Sequence, residues 1–166
     1  MSRLSRLIPS TQSTSDKKLA NSIKNLTGFT PNNIALYKLA FRHSSIAKEL
    51  KNGVKDSNER LEYLGDAIIG AVVSDYLFKK YPFQDEGFLS KIRSKLVSRA
   101  NHNKLALKLG LDSFVQVHES VTKGKSSIIG DAFEALIGAI YLDKGFATTY
   151  KSVSYTHLTL PTSYAV

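Results

Sequence analysis

Acidic residues recur at helical spacing in a stretch of this sequence that is otherwise unusually apolar. Within residues 58–70, NERLEYLGDAIIG, the residues Glu59, Glu62 and Asp66 are three and four positions apart, so on a helix they share one face. Residues 67–73 carry no polar side chain, which is typical of a buried helix. Like charges placed in this way repel one another. The pattern therefore predicts a helix that carries three carboxylates toward the protein core, where they would form part of a functional site.

A second apolar stretch, IIGDAFEALIGAIYLDKG, repeats this arrangement. Asp131 and Glu134 are three residues apart near its start, so they also share one helix face. If the two buried helices pack together, Glu62, Asp66, Asp131 and Glu134 meet, and such a group cannot stay ionised in a low-dielectric site without a counter-charge. Ligation by carboxylate oxygens alone favours a hard cation such as Mg²⁺ or Mn²⁺ over zinc. We therefore predict a divalent-cation site between the two helices.

A simpler interpretation is that each acid caps a helix or pairs with a nearby base such as Arg60, Lys91 or Arg93. This would suffice for one acid, but it does not explain five acids at matched spacing on two apolar helices. Small residues also flank one acid in each stretch, in Gly65-Asp66-Ala67 and Gly130-Asp131-Ala132. Small side chains allow helix backbones to approach closely, which favours the metal-site interpretation.

The elements that must position these acids are predicted to be helices, so we expect an all-α fold. Apolar spacing and capping residues predict helices over residues 17–27, from a Thr30 N-cap and Pro31 to Phe41, from about Ser57 to residues 79–81, from Phe88 to Ala100, from Asn103 to Leu109, and through the second apolar stretch to Gly145. Asp56 and Glu59 have the spacing of a capping box at the start of the central helix.

The two ends of the chain differ in composition from the rest. We expect residues 1–16 to be a flexible N-terminus, because they are rich in serine and poor in apolar side chains. Residues 152–166 alternate Thr and Leu without a charged side chain, and we exclude them from the fold as a non-native or disordered tail. One domain is then expected over residues 17–151, long enough for a single sizeable core.

No apolar run reaches the roughly 20 residues that a membrane span requires, and cysteine is absent.

The charge balance favours a polyanionic partner. The chain has 23 Lys and Arg against 14 Asp and Glu, which gives a net charge of +9. Lys91, Lys95 and Arg99 form a basic stripe that is either a solvated helix face or a phosphate-contacting surface, and we favour phosphate contact. The four histidines show no ligand spacing, so we expect ordinary hydrogen-bonding roles for His43, His102, His118 and His157.

Four stretches of the sequence, in order, resemble the ribonuclease III family: LAFRHSS (39–45), NERLEYLGDA (58–67), DEGFLSKIRSKLVSR (85–99) and GDAFEALIGAIYLD (130–143). The resemblance covers roughly residues 17–150. It implies a dimer-forming, all-α endonuclease domain that cuts double-stranded RNA with Mg²⁺, or Mn²⁺ in its place, and leaves 5′-phosphate ends. The substrates that it implies are ribosomal precursors and other structured RNA in the cytoplasm, with no membrane partner.

The resemblance also implies roles for individual residues. Glu62, Asp66, Asp131 and Glu134 match the family's metal ligands, with Asp66 and Glu134 the most directly catalytic. Glu59 and Glu86 match accessory acids near the cleft between subunits, and Tyr63 stands at a dimer contact where many members have Phe. We expect Lys123 and Lys125, in a basic loop, to contact RNA phosphates beside Lys91, Lys95 and Arg99.

Two other readings remain open at this point. We expect the family's usual C-terminal double-stranded-RNA-binding domain to be absent, since at most fifteen residues follow Lys151. The resemblance therefore implies either the catalytic domain of a ribonuclease III or a compact relative that naturally lacks the RNA-binding domain, and the full ERLEYLGD motif favours the former. A non-enzymatic alternative is a catalytically inactive RNA-binding or ribosome-associated scaffold of the same fold, although retention of all six acids argues against it.

Overall fold

The computed structural model describes residues 13–51, 53–121 and 125–156 of the chain. These residues form six α-helices: α1 (Thr14–Thr27), α2 (Ile34–Ala40), α3 (Glu59–Lys80), α4 (Glu86–Leu96), α5 (Arg99–Lys108) and α6 (Lys125–Ser154). Two short 3₁₀ turns, Ser44–Ile46 and Leu111–Ser113, lie in the connections. No β-strand forms within the described ranges, where β-type pairing is limited to two isolated bridges. The predicted all-α fold is confirmed.

Helices α3 and α6 form the centre of the fold, and their mutual contact is the most extensive between any two described elements. Helix α6 also packs against α5 and α2, while α3 packs against α4. The two central helices contribute most of the fully buried apolar side chains: Ile69, Val72 and Val73 from α3, and Phe133, Leu136, Ile137 and Ile140 from α6. Burial of these side chains on folding is the main force that holds the two acid-bearing helices together.

The backbones of α3 and α6 touch where two glycines meet. A Cβ atom added to Gly65 would lie 1.8 Å from the carbonyl oxygen of Glu134, and one added to Gly138 would lie 2.3 Å from the carbonyl oxygen of Leu61. No side chain fits at either position. The predicted close approach at Gly65 is therefore confirmed, but its counterpart on α6 is Gly138. Gly130 packs instead against α5, where an added Cβ would lie 2.1 Å from Asn103 Oδ1.

Helix α2 begins later than the sequence predicts. Thr30 and Pro31 do not open α2; Asn33 caps it, with its side chain accepting a hydrogen bond from the Ala35 amide. The Asn32 and Asn33 amides donate to the Asp143 carboxylate at 3.0 and 2.8 Å. This contact with α6 fixes the chain in front of α2, so the helix begins later than predicted.

The predicted capping box at α3 is also wrong. The helix begins at Glu59, and its N-cap Asn58 makes no side-chain capping bond. Asp56 forms an ion pair with Arg42 instead, and the Glu59 carboxylate accepts a hydrogen bond from Ser57 Oγ at 2.9 Å. A long-range charge pair has thus replaced the local cap.

The predicted helix from Phe88 to Ala100 is two helices. Helix α4 ends at Leu96, and Ser98 then caps α5 by accepting a hydrogen bond from the Asn101 amide at 3.3 Å. The predicted helix from Asn103 to Leu109 is the second half of α5. Apolar spacing alone did not reveal this break, because Leu96 and Ala100 keep a helical interval across it.

The predicted limits of the folded domain are too narrow at both ends. Helix α1 begins at Thr14, three residues before the expected start. Gly145 interrupts α6 as predicted, with φ 76° and ψ 174°, but the helix resumes and continues to Ser154. Val153 is fully buried, so burial of an apolar side chain carries the fold past Lys151. The remainder of the predicted N-terminus and tail, residues 1–12 and 157–166, lies outside the described residues.

None of the helices in the described part of the chain is both long enough and apolar enough to cross a lipid bilayer.

The glycine contact predicts that Gly65→Ala and Gly138→Ala each destabilise the chain strongly. Each added methyl group would overlap a backbone carbonyl oxygen that cannot move without separating α3 from α6, so we expect a loss of about 3 kcal/mol or more in the free energy of unfolding. Urea unfolding monitored by circular dichroism measures this change.

Gly87→Ala is the matched control. Gly87 lies in the first turn of α4, and its added Cβ would meet only the Asp85 side chain, at an ordinary 3.5 Å. Replacement of this helical glycine should be neutral or stabilise by about 0.5–1 kcal/mol. Equal effects at Gly65 and Gly87 would show that the helices do not touch at their backbones.

Candidate active site

The packing of α3 on α6 creates one cleft that gathers most of the predicted acids. Its lining consists of Glu59, Glu62, Tyr63, Asp66, Ala67, Val97, Arg99, Asp131 and Glu134. All four predicted metal ligands and one predicted accessory acid therefore lie together. Glu86, the other accessory acid, is not part of this lining; it lies exposed in the first turn of α4, where its carboxylate accepts a hydrogen bond from Ser90 Oγ at 2.7 Å.

The carboxylates in the cleft are electrostatically coupled. Burial first, and then the charges of Asp131 and Glu134, raise the pKa of Glu62 from 4.5 to about 7, while Arg99 opposes the rise. Burial likewise raises the pKa of Asp131, with Arg99 again acting in the opposite direction. The fold therefore holds anionic groups close enough to compete for protons, which is the electrostatic environment that attracts a cation.

Arg99 is the base that enters this cleft. Its guanidinium lies 3.9 Å from Asp131 Oδ1, and its side chain is 70% exposed. Because the helix is interrupted between α4 and α5, Arg99 is the first residue of α5. The predicted stripe of three bases on one helix is therefore wrong, because Lys91 and Lys95 lie exposed on α4.

Two further lysines, Lys123 and Lys125, are predicted to bind RNA. Lys125 is the first residue of α6, the acid-bearing helix, and precedes Asp131 by six positions. Lys123 lies outside the described residues.

Sequence reasoning missed the partner of Glu134. His102 Nδ1 lies 2.6 Å from Glu134 Oε1, and the His102 side chain is 1% exposed against 15% for that of Glu134. The two residues are 32 positions apart on α5 and α6. Because no local spacing connects them, an ordinary hydrogen-bonding role was all that the sequence indicated for this histidine.

The donor set of the cleft fits a hard divalent cation. Glu62, Asp66, Asp131 and Glu134 offer only carboxylate oxygens, which Mg²⁺ and Mn²⁺ prefer. Within the described ranges, no three acidic or histidine side chains are already arranged as a closed ligand group. The four carboxylates nevertheless line one cleft.

The chain is similar throughout this region to proteins of one family. The model of the Ribonuclease-III-like family matches residues 33–159. Among curated proteins, the chain is 44% identical over 128 residues to Ribonuclease 3 of Azobacteroides pseudotrichonymphae, covering 77% of this chain and 49% of that protein. It is 46% identical over 121 residues to Ribonuclease 3 of Bacteroides thetaiotaomicron, covering 73% and 39% respectively. The chain thus spans about half the length, or less, of these curated relatives.

A solved structure agrees with the sequence matches. The nuclease domain of ribonuclease III from Campylobacter jejuni, in which a region involved in dimer formation shows structural flexibility, is 34% identical to this chain. It superposes with a TM-score of 0.74 over 84% of this chain and 98% of that domain. The structural match extends over nearly all of that nuclease domain, and the range of the family match spans both acid-bearing helices. The chain therefore belongs to the ribonuclease-III-like family.

Proposed function

We propose that this chain is the catalytic domain of a divalent-cation-dependent endonuclease that hydrolyses double-stranded RNA. The observation that carries the proposal is the convergence of Glu62, Asp66, Asp131 and Glu134 on one cleft in a chain with net charge +9. The acids provide a local cation site, and the basic remainder favours a polyanionic substrate. Ribosomal precursors and other structured RNA of the bacterial cytoplasm are the substrates proposed.

Mg²⁺ is the proposed cofactor, with Mn²⁺ as a substitute, and the same four carboxylates would hold it. When bound, the ion supplies a water of lowered pKa and neutralises charge that develops on the leaving 3′ oxygen, so that cleavage yields 5′-phosphate ends. The fit rests on the four carboxylates that line the cleft. Burial and neighbouring negative charges also raise the pKa values of Glu62 and Asp131, so a bound cation would stabilise the ionised forms of these groups.

The chain's own residues would position the reactants. Asp66 and Glu134 are the proposed catalytic carboxylates, and Glu59 is a proposed accessory acid in the same cleft. Glu86 is the other proposed accessory acid and lies exposed on α4, outside the cleft lining. Arg99 is exposed beside Asp131, and its planar guanidinium is well suited to a phosphate oxygen at the cleft entrance. Lys91, Lys95, Lys123 and Lys125 are proposed to contact RNA phosphates, and such contacts provide affinity without reading sequence.

We also propose that the domain acts as a homodimer through α3. Tyr63 is 83% exposed and Phe78 is 72% exposed, and the small residues Ala67, Ala71 and Ser74 lie exposed between them at helical spacing. This stripe offers a second copy two exposed aromatic side chains with small residues between them. A two-fold axis would place one acidic cleft against each RNA strand, as cleavage of both strands requires.

Glu134→Gln should abolish cleavage while the fold and RNA binding persist. Glutamine keeps the shape of the side chain and an oxygen that can accept from His102, but it lacks the charge that holds the cation. We expect the rate of cleavage of a long RNA duplex in Mg²⁺ to fall by more than about 100-fold. Gel analysis of the products measures the rate, and filter binding in Ca²⁺ measures affinity.

Glu119→Gln, which removes an exposed carboxylate away from the cleft, is the control and should cut normally. Cleavage by the Glu134→Gln variant at the wild-type rate would overturn the metal assignment. A wild-type chain that binds duplex RNA without cutting it in either Mg²⁺ or Mn²⁺ would favour the inactive scaffold.

The stability of the metal-free chain should fall as the pH rises through the range set by Glu62. Because folding raises the pKa of this carboxyl from 4.5 to about 7, the folded chain binds the proton more tightly than the unfolded chain. The resulting stabilisation is full below the unfolded pKa and is lost as the pH rises toward 7. We expect the unfolding midpoint in EDTA, measured by calorimetry, to be lower at about pH 8 than at about pH 5.

Added Mg²⁺ should raise the unfolding midpoint more at the higher pH, because the cation and the proton compete for the same carboxylates. Glu62→Gln should reduce both pH effects, whereas Glu119→Gln should leave them unchanged. An equal effect of Mg²⁺ at both pH values would contradict cation binding at this cleft.

Tyr63→Asp should weaken the dimer. The change removes an exposed aromatic anchor worth about 2 kcal/mol or more if it is central to the interface, and it adds a negative charge beside an acidic cleft. Sedimentation velocity at micromolar concentration measures the fraction of dimer. Leu107→Asp, at a residue that is 51% exposed on α5, is the matched control; a dimer weakened by this change and not by Tyr63→Asp would place the interface elsewhere.

A further inference from the structure

We propose that His102 is a positioning residue that holds the Glu134 carboxylate in the orientation required for a divalent cation. This inference rests on the proposed function, because it concerns the same metal site. It starts from one contact: His102 Nδ1 lies 2.6 Å from Glu134 Oε1, at the short end of the range for a nitrogen–oxygen hydrogen bond. The His102 side chain is buried, with 1% of its surface exposed. Its partner Glu134 lines the acidic cleft.

The chemistry of the two groups fixes the direction of this hydrogen bond. An ionised carboxylate only accepts, so the proton lies on His102 Nδ1 and is donated to Oε1. This bond leaves Oε2 of Glu134 for a ligand in the cleft. A metal-binding carboxylate that is itself hydrogen-bonded loses less rotational freedom when the ion binds, and such outer partners typically contribute 10–100-fold to metal affinity.

The imidazole is held rigidly enough to orient another side chain. The His102 and Phe133 rings pack with centroids 5.6 Å apart and planes inclined by 51°. The His102 amide donates to the Ser98 carbonyl oxygen at 3.0 Å within the first turn of α5. A ring fixed by both its backbone and its packing partner presents Nδ1 in one place.

The close packing of α5 on α6 brings that ring within reach of Glu134. An added Cβ at Gly130 would lie 2.1 Å from Asn103 Oδ1 and 3.4 Å from the Asn103 amide nitrogen. Glycine at this position thus allows the start of α6 to lie directly against the residue that follows His102. Glu134 lies one helical turn after Gly130 on α6, so this packing brings its carboxylate to the buried His102 ring.

A purely structural role would be the ordinary alternative for a buried histidine. Under that alternative, the bond to Glu134 only satisfies a polar group in the core, and its removal would change stability without changing metal affinity. Two amide replacements separate the alternatives. Asparagine places an amide nitrogen near the position of Nδ1, whereas glutamine places it near the position of Nε2 and leaves Oε1 of Glu134 without this donor.

The experiment uses Mn²⁺ as the probe and no RNA. The full chain is freed of metal and titrated with Mn²⁺, and the loss of the free-ion electron paramagnetic resonance signal gives the dissociation constant for the wild type and for His102→Asn, His102→Gln, His102→Leu and Glu134→Ala. Thermal unfolding in EDTA confirms that each variant is folded. We expect Mn²⁺ affinity to fall about 10–100-fold in the glutamine and leucine variants and to return most of the way to the wild-type value in the asparagine variant.

The outcomes distinguish this inference from the proposed function. If the wild type binds Mn²⁺ more tightly than Glu134→Ala but His102→Gln binds it as tightly as the wild type, His102 is a structural residue only and the inference is overturned while the metal site stands. If the asparagine variant binds Mn²⁺ as weakly as the glutamine variant, a donor at the Nδ1 position does not restore affinity, and the inference is overturned in that case as well. If the wild type and Glu134→Ala bind Mn²⁺ equally, the metal site itself fails and the inference fails with it.

Discussion

The contact between the α3 and α6 backbones at Gly65 and Gly138 is the constraint on which the site depends. A side chain at either glycine would collide with a carbonyl oxygen of the opposite helix, so glycine at these two positions permits the close approach of the helices. Glu62 and Asp66 flank the contact on α3, and Glu134 supplies the very carbonyl that Gly65 approaches. The packing of α3 on α6 therefore both buries the core and brings the carboxylates together. The acids on the two helices could be separated only by disrupting this packing.

This closeness has an electrostatic cost that α5 helps to offset. Burial and neighbouring charges raise the pKa of Glu62 to about 7, which shows how unfavourable several ionised carboxylates are without a cation. The break before Ser98 starts a new helix at the edge of the cleft, and its first turn supplies two different partners. Arg99 brings an exposed positive charge toward Asp131, and His102 brings a buried ring to Glu134. A single straight helix from Phe88 onward would have placed neither residue there.

Contacts at the far end of α6 tie the smaller helices to the same axis. The buried Asp143 carboxylate accepts hydrogen bonds from the Asn32 and Asn33 amides and from the Tyr37 hydroxyl at 2.8–3.0 Å. It thereby caps the chain in front of α2 with a charge from another helix, which is favourable at a helix N-terminus. Helix α6 is thus held by α5 near its start and by α2 near Gly145, which limits its freedom to rotate its acids away from α3.

The sequence by itself determined the helical fold, the two acid-bearing helices and the four carboxylates, because helical spacing places such residues on one face whatever the rest of the chain does. Only the tertiary structure decided which elements meet that face. Gly138 and His102 could not be found from local spacing, since their partners lie on other helices, and the helix break at Ser98 was hidden by apolar residues that keep their interval across it. The helix starts likewise depended on other elements, because Asp143 accepts hydrogen bonds from the Asn32 and Asn33 amides in front of α2 and because Arg42 pairs with Asp56, which therefore does not cap α3.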